Sequence, residues 1–150
     1  MIVYKKMSLF DAPPGSTLVH ACNANAVWGA GIAKEMKERF PYAYHRYEEE
    51  CKTYPMIGEF TLDMDNSYWI ASLITSDSYG SKVDNPEEIL VHTTIALNEF
   101  CRSMDDNDKS IVYSNKFNSG LFKVPWERTE AILKVLVKRY NIDWIVCEQG

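Results

Sequence analysis

Ser16-Thr17-Leu18-Val19-His20-Ala21-Cys22-Asn23-Ala24-Asn25-Ala26-Val27-Trp28-Gly29-Ala30-Gly31-Ile32-Ala33 reads as a strand, a turn and the start of a helix in direct succession. Ser16 to Ala21 has no alternating polar face around Leu18 and Val19, as expected of a strand covered on both sides. Gly29 and Gly31 permit close backbone approach in the turn. Ile32, Met36 and Phe40 then recur at four-residue spacing and share one helix face. A second stretch repeats the order. Ile111-Val112-Tyr113 is a short strand, and Asn115-Lys116-Phe117-Asn118-Ser119-Gly120-Leu121-Phe122-Lys123-Val124-Pro125 is a glycine-bearing turn. Trp126 to Tyr140 is a helix that buries Ile132, Leu133, Leu136, Val137 and Tyr140. Backbone N–H groups at such strand-to-helix turns have no partner inside the helix and attract an anion. Two of them suggest a site the size of a pyrophosphate.

The rest of the chain continues the alternation. Ile2-Val3-Tyr4 is a short first strand and Asp11-Ala12-Pro13-Pro14-Gly15 a turn. Pro41 interrupts the first helix, and Tyr42 to Cys51 makes a second piece. Gly58 to Met64 and Tyr68 to Ile74 read as strands, the latter rich in aromatic and aliphatic residues. Thr75 to Asn85 is a polar loop. Pro86-Glu87-Glu88 starts a helix that reaches Met104, since proline and acidic residues suit a first turn. Asp105 to Asp108 is a charged turn, and Trp144-Ile145-Val146-Cys147 the last strand. With no repeat or linker, residues 1–150 form a single α/β domain, a three-layer α/β/α sandwich. Ligands of such sheets bind outside the carboxyl ends of the strands.

Composition is ordinary, with 46% hydrophobic and 25% charged residues. A net charge of -5 argues against a nucleic-acid partner, so an anionic ligand needs a shaped pocket with local dipoles. Cys22, Cys51, Cys101 and Cys147 are dispersed, so neither a zinc site nor a disulfide framework is expected. No signal peptide or apolar membrane span is apparent. The expectation is a reduced, soluble, cytoplasmic monomer without membrane partner, metal or cofactor.

The turns do not match common phosphate motifs. The first lacks the third glycine of the dinucleotide fingerprint, and no Gly-Lys-Ser/Thr follows. A glycine turn alone is more often structural. Asn23 and Asn25 add amides that donate and accept, which suits sugar hydroxyls. His20, at the end of its strand, is a buried core histidine or a proton-transfer group with even weight. His45 and His92 are expected on helix surfaces. Asp84 is the N-cap of the following helix or a catalytic carboxylate, with Asp77 a weaker candidate. Trp28 and Phe122 are core, or a wall over a ribose.

The residues at 20–33, His-Ala-Cys-Asn followed by Trp-Gly-Ala-Gly-Ile-Ala, resemble the first ligand loop of macrodomains, the ADP-ribose-binding α/β/α modules. Asn118-Ser119-Gly120-Leu121-Phe122 and Val124-Pro125-Trp126 resemble their second phosphate loop. The combination is most similar to the yeast-type branch that acts as ADP-ribose-1″-phosphate phosphatase. The resemblance implies a mixed central sheet. It also implies a hydrolase that releases phosphate from this sugar nucleotide. By position, Asn23 matches the asparagine that contacts the distal ribose. The backbone of Gly29, Ala30, Gly31 and Ile32 would line that ribose and the nearest phosphate. The backbone of Asn118, Ser119, Gly120, Leu121 and Phe122 would close over the diphosphate. His20 and Asp84 correspond to the branch's proposed catalytic pair, in either division of acid and base.

Two departures stand out. Where many macrodomains carry an aspartate that reads the adenine amino group, this chain has Met7-Ser8-Leu9, so Ser8 replaces it, and the resemblance implies adenine recognition that is weaker or that uses another group such as Asp11. A related branch removes ADP-ribose from protein glutamate with a lysine and an aspartate. This chain has Ser76 and Phe122 there, so that route is not expected. A non-catalytic ADP-ribose binder, and a hydrolase acting on ADP-ribosylated macromolecules, are the alternatives.

Overall fold

Successive strand residues feed opposite faces of one sheet, as the pleat requires. Val19, Ala71, Leu73, Val112, Trp144 and Val146 pack with one hydrophobic cluster, and Leu18, Ile70, Ile74, Tyr113, Ile145 and Cys147 with another. The computed structural model describes residues 1–105 and 111–148. Its strands are β1 (Ile2–Lys6), β2 (Thr17–Asn23), β3 (Phe60–Asp65), β4 (Tyr68–Ser76), β5 (Val112–Ser114) and β6 (Trp144–Glu148). Its helices are α1 (Gly31–Arg39), α2 (Pro41–Thr53), α3 (Pro86–Asp105) and α4 (Trp126–Tyr140). The first cluster holds residues of α3 and α4, and the second residues of α1 and α2. The sheet is therefore the middle of three layers, as expected.

Strand order is β1-β6-β5-β2-β4-β3. All neighbours are parallel except β3 and β4, so the sheet is mixed. β2 and β5 lie side by side, with Val19 opposite Ser114. From β2 the chain moves through α1 and α2 toward β4. From β5 it moves through α4 to β6 on the other side. This divergence between adjacent parallel strands is a topological switch point, where α/β sheets open a crevice. Both glycine segments leave the sheet there.

Some boundaries differ from the sequence reading. β2 extends past Ala21 because Asn23 pairs with Ser76, and the same pairing draws Thr75 and Ser76 into β4. The N-cap of α3 is Asn85, whose Oδ1 accepts the Glu88 N–H at 2.9 Å, so Asp84 is free of that task. On α4, Trp126 and Thr129 join the buried face, while Ile132 and Tyr140 are only partly covered. His45 is exposed as expected. His92 is instead half-buried, beside Gly58. The charged turn expected at 105–108 lies, beyond Asp105, outside the described residues.

Candidate functional site

The first segment is folded by its own asparagine. Asn23 Nδ2 donates to Val27 O at 2.7 Å, while Asn23 Oδ1 accepts the Asn25 N–H at 3.0 Å. The Tyr47 hydroxyl donates to Asn23 O, and the Tyr44 hydroxyl to Ala26 O at 3.1 Å. These bonds hold Ala26 at a left-handed φ of 63°, which an alanine rarely adopts unaided. Asn23 is thus a loop-forming residue with most of its amide committed. Asn25 is the exposed amide, and its Nδ2 donates to Ser78 Oγ at 3.1 Å.

Gly29, Ala30 and Gly31 are exposed and Ile32 is partly covered. The first bond of α1 runs from Lys34 N–H to Ala30 O, and no side chain caps the helix. The N–H groups of Gly31, Ile32 and Ala33 precede it without helical partners. Beside them, Trp28, Gly29, Lys34, Lys37 and Glu38 line a depression of about 380 Å³. Lys34 and Lys37 against Glu38 leave this lining with one net positive charge, opposite in sign to the chain as a whole.

In the second segment a turn closes from Lys123 N–H to Gly120 O at 3.0 Å, and Val124 N–H returns to Asn118 O at 2.9 Å. Ser119 spends its N–H on Lys116 O. Among the described residues, the N–H groups of Gly120, Leu121 and Phe122 donate to no protein acceptor. Within the expected 118–122, Ser119 is thus the residue whose N–H is already spent. A Cβ added at Gly31 would stand 3.6 Å from Leu121 Cδ1, so the two segments meet. A Cβ added at Gly120 would meet nothing within 4 Å, leaving room above that peptide.

Asp84 approaches from the β4–α3 connection and is half-buried. Its Oδ2 accepts the Asp77 N–H at 2.9 Å, and its own N–H donates to Ser76 Oγ at 3.2 Å. Ser76 is buried and donates in turn to Ser78 O at 2.6 Å. Ser76 thus braces the loop rather than facing a ligand. Asn25 and Asp84 are joined through Ser78 and Ser76.

Of the two readings open for His20, the structure shows the buried core histidine, though not at the end of its strand. β2 continues beyond it to Asn23, and the imidazole is 0% exposed. Its Nε2 is 2.8 Å from Ser72 Oγ, and its ring meets Trp28 edge-on at 4.5 Å between centroids. Burial lowers its pKa from 6.5 to about 3, so it is neutral at physiological pH. An imidazole at this depth does not reach a ligand above the loops. Trp28 is also buried and stacks on Tyr47 at 4.8 Å. Of its two expected roles, core and ribose wall, it takes the first; Phe122 is only partly covered. Ser8 caps the short 3-10 turn at Leu9–Asp11 by accepting the Phe10 N–H at 3.2 Å, while Asp11 is exposed.

The Macro domain family model matches residues 19–133, a span that contains both glycine segments. The chain belongs to the macrodomain family. This macrodomain is 37% identical to a protein of Lodderomyces elongisporus named ADP-ribose 1″-phosphate phosphatase, over 90% of this chain and 92% of that one. A protein of the same name from Meyerozyma guilliermondii is 33% identical over 93% and 97% of the two chains. Among solved structures, the macrodomain of Mycobacterium tuberculosis DarG superposes with a TM-score of 0.85 at 22% identity, covering 100% and 99% of the chains.

Several residues that shape the macrodomain site escaped the sequence reading. Tyr44 and Tyr47 on α2 hold the first loop, and Ser78 joins it to the Asp84 loop. Thr75, Thr93 and Thr129 surround the Asn118 side chain. No local pattern marks them, because each acts across elements distant in sequence. Among the described residues no cluster of three or more His, Cys, Asp or Glu side chains could hold a metal ion, and no helix is long and apolar enough to cross a membrane.

Proposed function

We propose that this macrodomain hydrolyses ADP-ribose-1″-phosphate to ADP-ribose and inorganic phosphate. The observation that carries the reading is that two segments with unpartnered main-chain N–H groups, at Gly31–Ala33 and Gly120–Phe122, come together where the Leu121 side chain approaches Gly31, with the Asp84 loop joined to the first segment through Asn25, Ser78 and Ser76. The names of the relatives at 33% and 37% identity support the same substrate. The N–H groups grip the diphosphate through charge-assisted hydrogen bonds. That grip fixes the distal ribose near Gly29 and turns its 1″-phosphate toward Asp84.

In the proposed step a water oxygen attacks phosphorus, and the bond between phosphorus and the anomeric oxygen breaks. Asp84 receives the proton of the water, and the leaving hydroxyl is protonated from solvent. The anomeric oxygen is a better leaving group than an ordinary alcohol. His20, neutral and buried beneath the first loop, packs edge-on against Trp28 and serves to position that loop. The free cysteines support a reducing compartment and the net charge of -5 speaks against a nucleic-acid partner, and we assign a cytoplasmic monomer.

The test is phosphate release from ADP-ribose-1″-phosphate by the pure protein, compared with variants at Asp84 and His20. Release at the wild-type rate from the double variant would remove this mechanism. The burial of His20 leaves one reachable candidate of the expected pair, which favours a binding module as the second reading. Saturable ADP-ribose binding in calorimetry with no phosphate release would decide for it.

A further inference from the structure

Asn118 was expected to serve the ligand through its backbone, yet its side chain points the other way. It is 4% exposed, and Thr75, Thr93 and Thr129 around it are 0% exposed. Oδ1 accepts from Thr75 Oγ1 at 2.8 Å, and Nδ2 donates to Thr93 Oγ1 at 2.9 Å and, more weakly, to Thr129 Oγ1 at 3.4 Å. Thr93 spends its own hydroxyl proton on Ile89 O at 2.6 Å, so its oxygen can only accept from Asn118. The orientation of the amide follows, because a flipped oxygen would face one with no proton to offer. One side chain thereby ties the second loop to β4, α3 and α4. It does so from a left-handed φ of 69°, which asparagine tolerates better than most residues. Its carbonyl also anchors the far end of the loop through Val124 N–H. Thr75 precedes Ser76, which receives the Asp84 N–H, so the two loops share one stretch of β4.

We propose that Asn118 is the positioning residue of this site, holding the Gly120–Phe122 N–H groups in register with the Asp84 loop through its buried amide. The ligand consequence rests on the proposed function; the positioning does not. Asn118→Asp keeps the shape but sets a carboxylate oxygen against Thr93 Oγ1, and Asn118→Gly keeps the permitted φ but deletes the bonds.

In ligand-free protein, backbone order parameters for residues 119–123 are expected to fall below about 0.6 in both variants, with β5 and α4 unchanged. In calorimetry the affinity for ADP-ribose is expected to weaken about ten-fold or more. In turnover the loss is expected in KM more than in kcat, since the diphosphate lies away from the breaking bond. Unchanged order parameters in both variants, or an Asn118→Gly protein that binds as the wild type does, would overturn the proposal. Absence of ADP-ribose binding in the wild type would remove the ligand reading while the order parameters still judge the positioning. If either variant fails to fold, Thr75→Val and Thr129→Val, which each remove one bond at the edge of the network, are read in the same way.

Discussion

Desolvation sets the protonation of His20, and the sign of the effect can be followed through the pH range. Its pKa is near 6.5 when unfolded and about 3 when folded. The folded form therefore binds the proton less well. The stability that depends on this is fully present above 6.5 and is lost as pH falls toward 3, because the unfolded chain gains the proton first. The slope from this one group approaches about 1.4 kcal/mol per pH unit. Denaturant titrations at pH 7 and pH 5 should show a smaller acid loss in His20→Gln than in the wild type. Asp84 stands in a half-exposed loop, where chemistry rather than packing should dominate. Asp84→Asn keeps an oxygen for the Asp77 N–H and should fold normally. Steady-state phosphate release should show kcat reduced about 100-fold with little change in KM.

The glycine turns and the helices that follow them carry their own expectations. Gly120 has open space above it and no left-handed φ, so Gly120→Ala should leave Tm within about a degree of wild type. ADP-ribose affinity should nevertheless fall, because the added methyl enters the space proposed for the diphosphate. Unchanged affinity in calorimetry would count against that placement. Gly31 has a φ of +60°, so Gly31→Ala should cost about 1–2 kcal/mol in chemical denaturation whatever the ligand. At the head of α3, Asn85→Ala should cost about 1 kcal/mol by loss of the cap, without changing ADP-ribose affinity. Helix positions were legible where hydrophobic spacing is strong, and α4 spans Trp126–Tyr140 as read from the chain. Strand ends were not. Asn23, Thr75 and Ser76 look like loop residues, and only the pairing of β2 with β4 makes them strand.

Ligand binding couples these pieces to the stability of the domain. A ligand held only by the folded state raises its stability by mass action. At ADP-ribose about 100-fold above Kd the gain is about 2.7 kcal/mol, which a thermal melt should register as a rise of several degrees. A melt unaffected by ADP-ribose would speak against binding between the loops. The alternation of strands and helices, the two glycine turns and the Macro domain resemblance were all readable along the chain. They are local patterns, in which neighbouring residues set backbone freedom and the apolar face. The depth of His20 beneath Trp28, the inward turn of Asn118 toward three threonines and the contact of Leu121 with Gly31 could not be read that way. Each arises between segments far apart in sequence, after the sheet has chosen its strand order and packing has allotted each polar group a partner or a place away from water.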